Sequence, residues 1–201
     1  WFWDPVENVS LMPWFCLTAL LHTIIVLEKR EILKSWTLIL SIATFILSVS
    51  GTFLVRSGIL NSVHTFANDP DRGIFILIFL FILIFLSISL FFTFPIQEKN
   101  TNKKIFWISK ETSILINNWF MMYFLSVVLI GTTYPIILET LTDDKISIGP
   151  PFYNKLFLPF LIIFFIFMSF GPSLKWINNK AYKIGKVNFL YLFLSIFLSI
   201  L

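Results

Sequence analysis

Ile74-Phe75-Ile76-Leu77-Ile78-Phe79-Leu80-Phe81-Ile82-Leu83-Ile84-Phe85-Leu86-Ser87-Ile88-Ser89-Leu90-Phe91-Phe92-Thr93-Phe94 contains no charged residue. A helix needs about 20 apolar residues to cross the hydrocarbon of a bilayer. The run is continuously apolar, whereas a barrel strand alternates, so a spanning helix is expected here. Similar runs cover residues 9–27, 36–55, 119–138, 156–170 and 187 onward. The fold class these imply is all-α: a polytopic membrane helix bundle with about six transmembrane helices. Composition agrees. The chain is 57% hydrophobic and 13% charged, and it holds 25 Phe. Soluble domains carry about 25% charged residues.

Charge patterning gives the topology. Lys29, Arg30, Lys34, Lys99, Lys103, Lys104, Lys110, Lys175, Lys180, Lys183 and Lys186 fall in alternate connections at 28–35, 95–118 and 172–186. Arg56, Arg72, Lys145 and Lys155 fall in the others, at 56–73 and 139–155. The positive-inside rule places the larger set in the cytoplasm or matrix. The N-terminal stretch and the loops at 56–73 and 139–155 then face the periplasm or intermembrane space. Asp4, Glu7, Asp69, Asp71, Glu139, Asp143 and Asp144 all fall on that outer side. The net charge of +4 is therefore a topology signal and not a sign of nucleic-acid binding.

The chain opens on Trp1-Phe2-Trp3-Asp4-Pro5-Val6-Glu7-Asn8, three rings beside two carboxylates. Amphipathic rings suit the lipid–water boundary, where they also make a platform for a flat apolar ligand. Asp4-Pro5 is a good helix start, and Glu7 stands where a capping-box carboxylate belongs. Asn8 can cap or bond a ligand. The absence of an initiator Met suggests an internal piece of a longer chain.

His22 stands inside the first run. An ionisable residue there is a functional candidate: an axial ligand for haem iron, or the partner in an interhelical hydrogen bond to Ser or Thr. Leu11, Trp14, Phe15, Thr18 and Ala19 share its helical face. Cys16 is the one cysteine, which excludes an internal disulfide; it reads as an ordinary buried thiol. The loop from Arg56 to Gly73 adds His64, Phe66 and Arg72, with a turn at Asn68-Asp69-Pro70. Arg56 and Arg72 suit the bidentate binding of haem propionates. Equally, they suit interfacial snorkelling or pairing with Asp69 and Asp71. His64 is a second candidate ligand or a solvated loop histidine. Asp143-Asp144-Lys145 reads as a solvated turn.

These residues carry a family resemblance. The opening eight resemble the end of the tryptophan-rich haem-handling signature of the CcmF-type cytochrome c biogenesis family. The loop with Val63-His64 and Asp69-Pro70-Asp71-Arg72-Gly73 resembles that family's next outer loop. Ser109-Lys110-Glu111-Thr112 with Asn117-Asn118, and Ser147 through Asn154, resemble later segments.

The resemblance implies a haem lyase component, with covalent attachment of haem to apocytochrome c through substrate Cys-x-x-Cys-His thiols. It implies two haem environments. His22 matches one axial ligand of an intramembrane haem b, and His64 matches one iron ligand of the outer-face site. Their partner histidines would lie outside residues 1–201. The cofactor-binding set is then Trp1, Phe2, Trp3, Asp4, Glu7, Asn8, His22, Arg56, His64 and Arg72, with His22 and His64 as metal ligands. Haem b is the expected resident cofactor, and haem itself the substrate. Expected partners are a haem chaperone, thiol-reducing subunits of the maturation machinery, apocytochrome c, quinol as electron source, and membrane lipid. The expected location is a bacterial inner membrane, with a mitochondrial inner membrane as the alternative. On this reading residues 1–8 end the haem motif and 9–201 form the bundle. Rival readings are a transporter or channel, for which no internal repeat is seen, and a structural subunit of a respiratory complex.

Overall fold

A computed structural model describes residues 2–60, 69–94, 105–142 and 146–177. Among these residues it contains five long helices and no strand. They are α1 (Pro5–Arg30), α2 (Lys34–Arg56), α3 (Pro70–Thr93), α4 (Lys110–Thr142) and α5 (Pro150–Phe170), followed by a single 3-10 turn, Gly171–Ser173. All five are long and apolar enough to cross a membrane. Trp1, His64, the turn at 143–145 and the expected sixth helix from 187 lie outside the described residues.

Local chemistry sets the helix ends. Asp4 caps α1, its Oδ2 accepting from the Val6 N–H at 3.0 Å, and Pro5 takes the first helical position. Glu7 reaches back past the cap residue, its Oε2 accepting from the Phe2 N–H at 3.1 Å. The helix stops at Glu31, whose left-handed backbone (φ 55°) lets its N–H bond the Leu27 carbonyl. Asp69-Pro70 starts α3 in the same way, with Asp69 Oδ1 accepting from the Arg72 N–H at 3.2 Å.

Several expected boundaries move: α3 starts at Pro70, inside the loop expected at 56–73, and α4 ends at Thr142 and α5 starts at Pro150, inside the loop expected at 139–155. Residues 110–118 were expected in a connection at 95–118, but they are the first turns of α4. Ser109 opens that helix, its Oγ accepting from the Thr112 N–H at 3.2 Å. The polar side chains at this end find partners on α1, as described below, so the helix carries them without exposing them to hydrocarbon.

Neighbouring helices run antiparallel. On α1 and α2, Val9 meets Gly51 and Cys16 meets the Leu40 carbonyl. A Cβ at Gly51 would stand 2.9 Å from Val9 Cγ1, so glycine permits this close approach. On α4 and α5, Gly131 meets Tyr153 and Ser113 meets Gly171. Packing joins α1 to α2 and α4, α2 to α3, and α4 to α5. The core lies between α1, α4 and α5, where Phe15, Phe124 and Phe157 cluster with ring centroids 4.7 to 6.2 Å apart, Phe124 stacking on Phe157. Lys29, Arg30, Lys110 and Lys175 gather at one end of the bundle, where the Lys110 N–H bonds the Lys175 carbonyl at 2.9 Å. Asp4, Glu7, Arg56, Asp69 and Arg72 gather at the other.

Candidate functional site

Of the ten residues singled out in the sequence, Trp1 and His64 lie outside the described residues, and the other eight fall at two separate levels of the bundle. Asn8 and His22 lie fourteen positions apart on α1, about 21 Å along its axis at 1.5 Å per residue. Asn8 and His22 line different cavities.

At the N-terminal end, Trp3 is not a free ring. It stacks on Tyr153 of α5 at 4.4 Å with planes 9° apart, and meets the edge of Phe157 at 4.9 Å. Its Nε1 donates to Asn154 Oδ1 at 3.2 Å. A positive φ of 58° turns the backbone to place the ring there. Asn8, 1% exposed, donates through Nδ2 to the Trp3 carbonyl at 3.2 Å and to the Tyr153 hydroxyl at 3.1 Å. Asn8 thus ties the entry segment to α5; the N-terminal cap is Asp4. Gly131 makes room for Tyr153, since a Cβ at 131 would stand 2.7 Å from the hydroxyl. Trp3, Asn8, Thr132, Ser147 and Tyr153 help line a cavity of about 410 Å³. Phe2 is the exposed ring, at 82%.

Arg56 lies at the same end, bordering a second cavity with Val6, Val9, Ser10 and Pro13 of α1. Its carbonyl accepts from the Asp69 N–H at 3.0 Å, which brings the start of α3 to the end of α2. Arg72 Nε pairs with Asp69 Oδ2 at 3.0 Å, the second of the two roles open to it in the sequence. Its side chain is well exposed, so this pair adds at most about 1 kcal/mol.

Toward the other end, His22 is partly buried and borders an apolar cavity of about 390 Å³ walled by Ile25, Ile114, Phe164, Phe167 and Met168. Lys110, Ser113 and Trp176 also line it. The cavity opens onto α4 and α5, not along the α1 face carrying Thr18 and Ala19. Ala19 is fully buried in the core, and Thr18 Oγ1 donates to the Trp14 carbonyl at 2.8 Å. The expected Ser or Thr partner of His22 is instead an asparagine: Asn117 Nδ2 lies 2.7 Å from His22 Nδ1. One residue on, Asn118 Nδ2 donates to Thr23 Oγ1 at 2.7 Å, and Thr23 Oγ1 donates to the Ala19 carbonyl at 2.7 Å. Two turns further, Arg30 forms an ion pair with Glu111, whose side chain is fully buried. Seven residues separate Thr23 from Arg30 on α1, and seven separate Asn118 from Glu111 on α4. The polar contacts therefore keep one antiparallel register.

Asn117, Asn118 and Glu111 were not among the residues singled out as a site. Their spacing held the signal. Glu111 and Asn118 are two helical turns apart, so they fall on one face once the helix is extended back to Lys110.

The donor set at His22 fits a haem. An imidazole that donates its Nδ1–H to the Asn117 carboxamide oxygen would leave Nε2 open to iron, apolar and aromatic walls suit a porphyrin, and Lys110 suits a propionate. The N-terminal end supplies an exposed ring and a cationic side chain.

Comparison with known proteins finds relatives along nearly the whole chain. Residues 1–60 match the family described as cytochrome C assembly protein. Over 176 residues the chain is 46% identical to a cytochrome c-type biogenesis protein CcmF of Pseudomonas fluorescens, covering 88% of this chain and 26% of that protein. It is 51% identical over 180 residues to the cytochrome c-type biogenesis protein CycK of Bradyrhizobium diazoefficiens, with coverage of 88% and 26%. It is 41% identical over all 201 residues to CcmF of Escherichia coli, 31% of that protein. A solved cytochrome c haem lyase CcmF superposes with a TM-score of 0.65 at 28% identity, over 90% of this chain and 25% of that one. The chain thus spans between a quarter and a third of the length of these relatives. By sequence along nearly its whole length, and by fold, it belongs to the CcmF family of cytochrome c-type biogenesis proteins.

Proposed function

We propose that this chain forms the part of a haem lyase that holds haem in two places, one within the membrane and one at the N-terminal end of the bundle. The carrying observation is His22: an imidazole inside a spanning helix, held at Nδ1 and facing an apolar cavity. Intramembrane ionisable groups are costly and are kept for function. In this reading His22 supplies one axial nitrogen to a haem b, and Phe164, Phe167 and Met168 exclude water from it. Lys110 offers its ammonium to a propionate at the basic end. When bound, the haem supplies one-electron chemistry; quinol is the electron source implied by the family.

The N-terminal end handles haem as substrate. The exposed Phe2 ring and the edge of Trp3 give an apolar shelf, while Asp4 and Glu7 hold the backbone that presents them. Arg56 or Arg72 would supply a cation to a propionate, Trp1 would add a ring to the shelf, and His64 would give an axial nitrogen to the iron. The thiols that attack the haem vinyl groups belong to apocytochrome c, in keeping with the burial of Cys16 in the core. A haem chaperone and thiol-reducing subunits would act at this face. The basic end then faces the cytoplasm and the N-terminal end the periplasm of a bacterial inner membrane.

The test uses the full-length protein in detergent. The wild type should show a reduced haem b spectrum, and His22→Ala should lose it. A His22→Ala protein with undiminished haem b absorbance would end the axial assignment.

A further inference from the structure

We infer that Asn117 is the positioning residue that fixes the tautomer and the donor strength of His22. The inference rests on the reading of His22 as a haem ligand, and it is carried by a contact between helices 95 residues apart in sequence. Asn117 and His22 meet at 2.7 Å through Nδ1 of the ring.

Two proton arrangements satisfy that contact. If the amide N–H donates to Nδ1, the ring proton sits on Nε2, and the histidine has no lone pair left for a metal. If the carboxamide presents Oδ1, the Nδ1–H donates to it and the Nε2 lone pair is free. The terminal amide reaches either state by a half-turn. Iron ligation requires the second. A ligating histidine that donates its other N–H to a carbonyl is held in one orientation and becomes a more basic ligand.

Asn117 is placed for this with little freedom. Its neighbour Asn118 is 2% exposed and bonded to Thr23, and the Arg30–Glu111 pair locks the same two helices further along. The register that puts Asn118 on Thr23 puts Asn117 on His22.

A more basic ligand favours ferric iron, so the hydrogen bond lowers the haem reduction potential. Redox titration of the full-length protein, with Asn117→Leu, Asn117→Asp, Asn118→Leu and His22→Ala, tests this. Asn117→Leu should raise the midpoint potential of the bound haem b. Asn117→Asp, a stronger acceptor, should lower it below wild type. Asn118→Leu should leave it unchanged. If Asn117→Leu loses haem, recovery of haem in Asn117→Asp supports the assignment, and loss in both overturns it. Unchanged potentials, equal shifts in one direction, or an equal shift in Asn118→Leu also overturn it. Full haem retention in His22→Ala removes the ligand reading itself, and Asn117 with it.

Discussion

Helices α1 and α3 are both long and apolar, yet the bundle uses them differently. The most apolar stretch of α1 is 44% buried within the protein; that of α3 is 6%. The mean hydropathy of α1 is the lower of the two, 1.9 against 3.2 for α3. The more hydrophobic helix is thus the less buried one, the reverse of a soluble fold. Lipid is as apolar as leucine, so apolar surface gains little by leaving it for protein. What draws helices together here is close packing and polar pairing. α1 supplies both, with Ala19, His22, Thr23 and Arg30 set against α4. Among the described residues α3 packs chiefly on α2 and shows Phe75, Phe81, Phe85 and Phe92 to its surroundings.

The contrast can be broken first at the buried ion pair. Glu111→Ala strands the Arg30 guanidinium between α1 and α4, and should cost about 3–5 kcal/mol of unfolding free energy in mixed micelles. The double change Glu111→Leu with Arg30→Met removes both charges and should recover most of that loss. Equal losses in the single and double variants would show that the pair is not what couples the helices.

A smaller effect is expected at the close approach of α4 and α5. Gly131→Val places new atoms inside the Tyr153 ring, where even a Cβ would come within 2.7 to 2.9 Å. Overpacking of this kind costs about 1–3 kcal/mol. Because Tyr153 also holds Trp3 and Asn8, tryptophan fluorescence should report a disturbed N-terminal segment. An emission spectrum and stability identical to wild type would count against the stack.

The smallest effect belongs to α3. Phe85→Ala removes a ring that is 73% exposed and should change unfolding free energy by about 0.5 kcal/mol or less. A loss as large as that of Gly131→Val would mean that α3 packs more tightly than its exposure indicates.

Much of this was legible before folding was considered. The cap at Asp4-Pro5 depends on neighbours in sequence and is seen as read, whereas Asp69-Pro70, read as a turn ahead of a span behind Gly73, caps and opens α3 itself. Lys29, Arg30, Lys110 and Lys175 gather at one end of the bundle and Asp4, Glu7 and Asp69 at the other, beside Arg56 and Arg72, so the larger basic set lies on one side as charge counting gives. Lys110 to Asn118 was harder to place. A charged and amide-rich stretch scores as a loop when each residue is priced alone, and only its partners on α1 make it affordable inside a helix. Trp3 reads as a free interfacial ring, because nothing near it in sequence names Tyr153 as the surface it covers.

The sequence alone determined that these segments are helices in a membrane and where several of them begin. Uninterrupted apolar runs leave the backbone no other way to satisfy its hydrogen bonds in lipid. Tertiary structure decided which polar side chains meet: His22 with Asn117, Thr23 with Asn118, Arg30 with Glu111, and Asn8 with Tyr153. Those pairings depend on the register of one helix against another. Apolar surfaces set that register only loosely, and hydrogen bonds made away from water fix it.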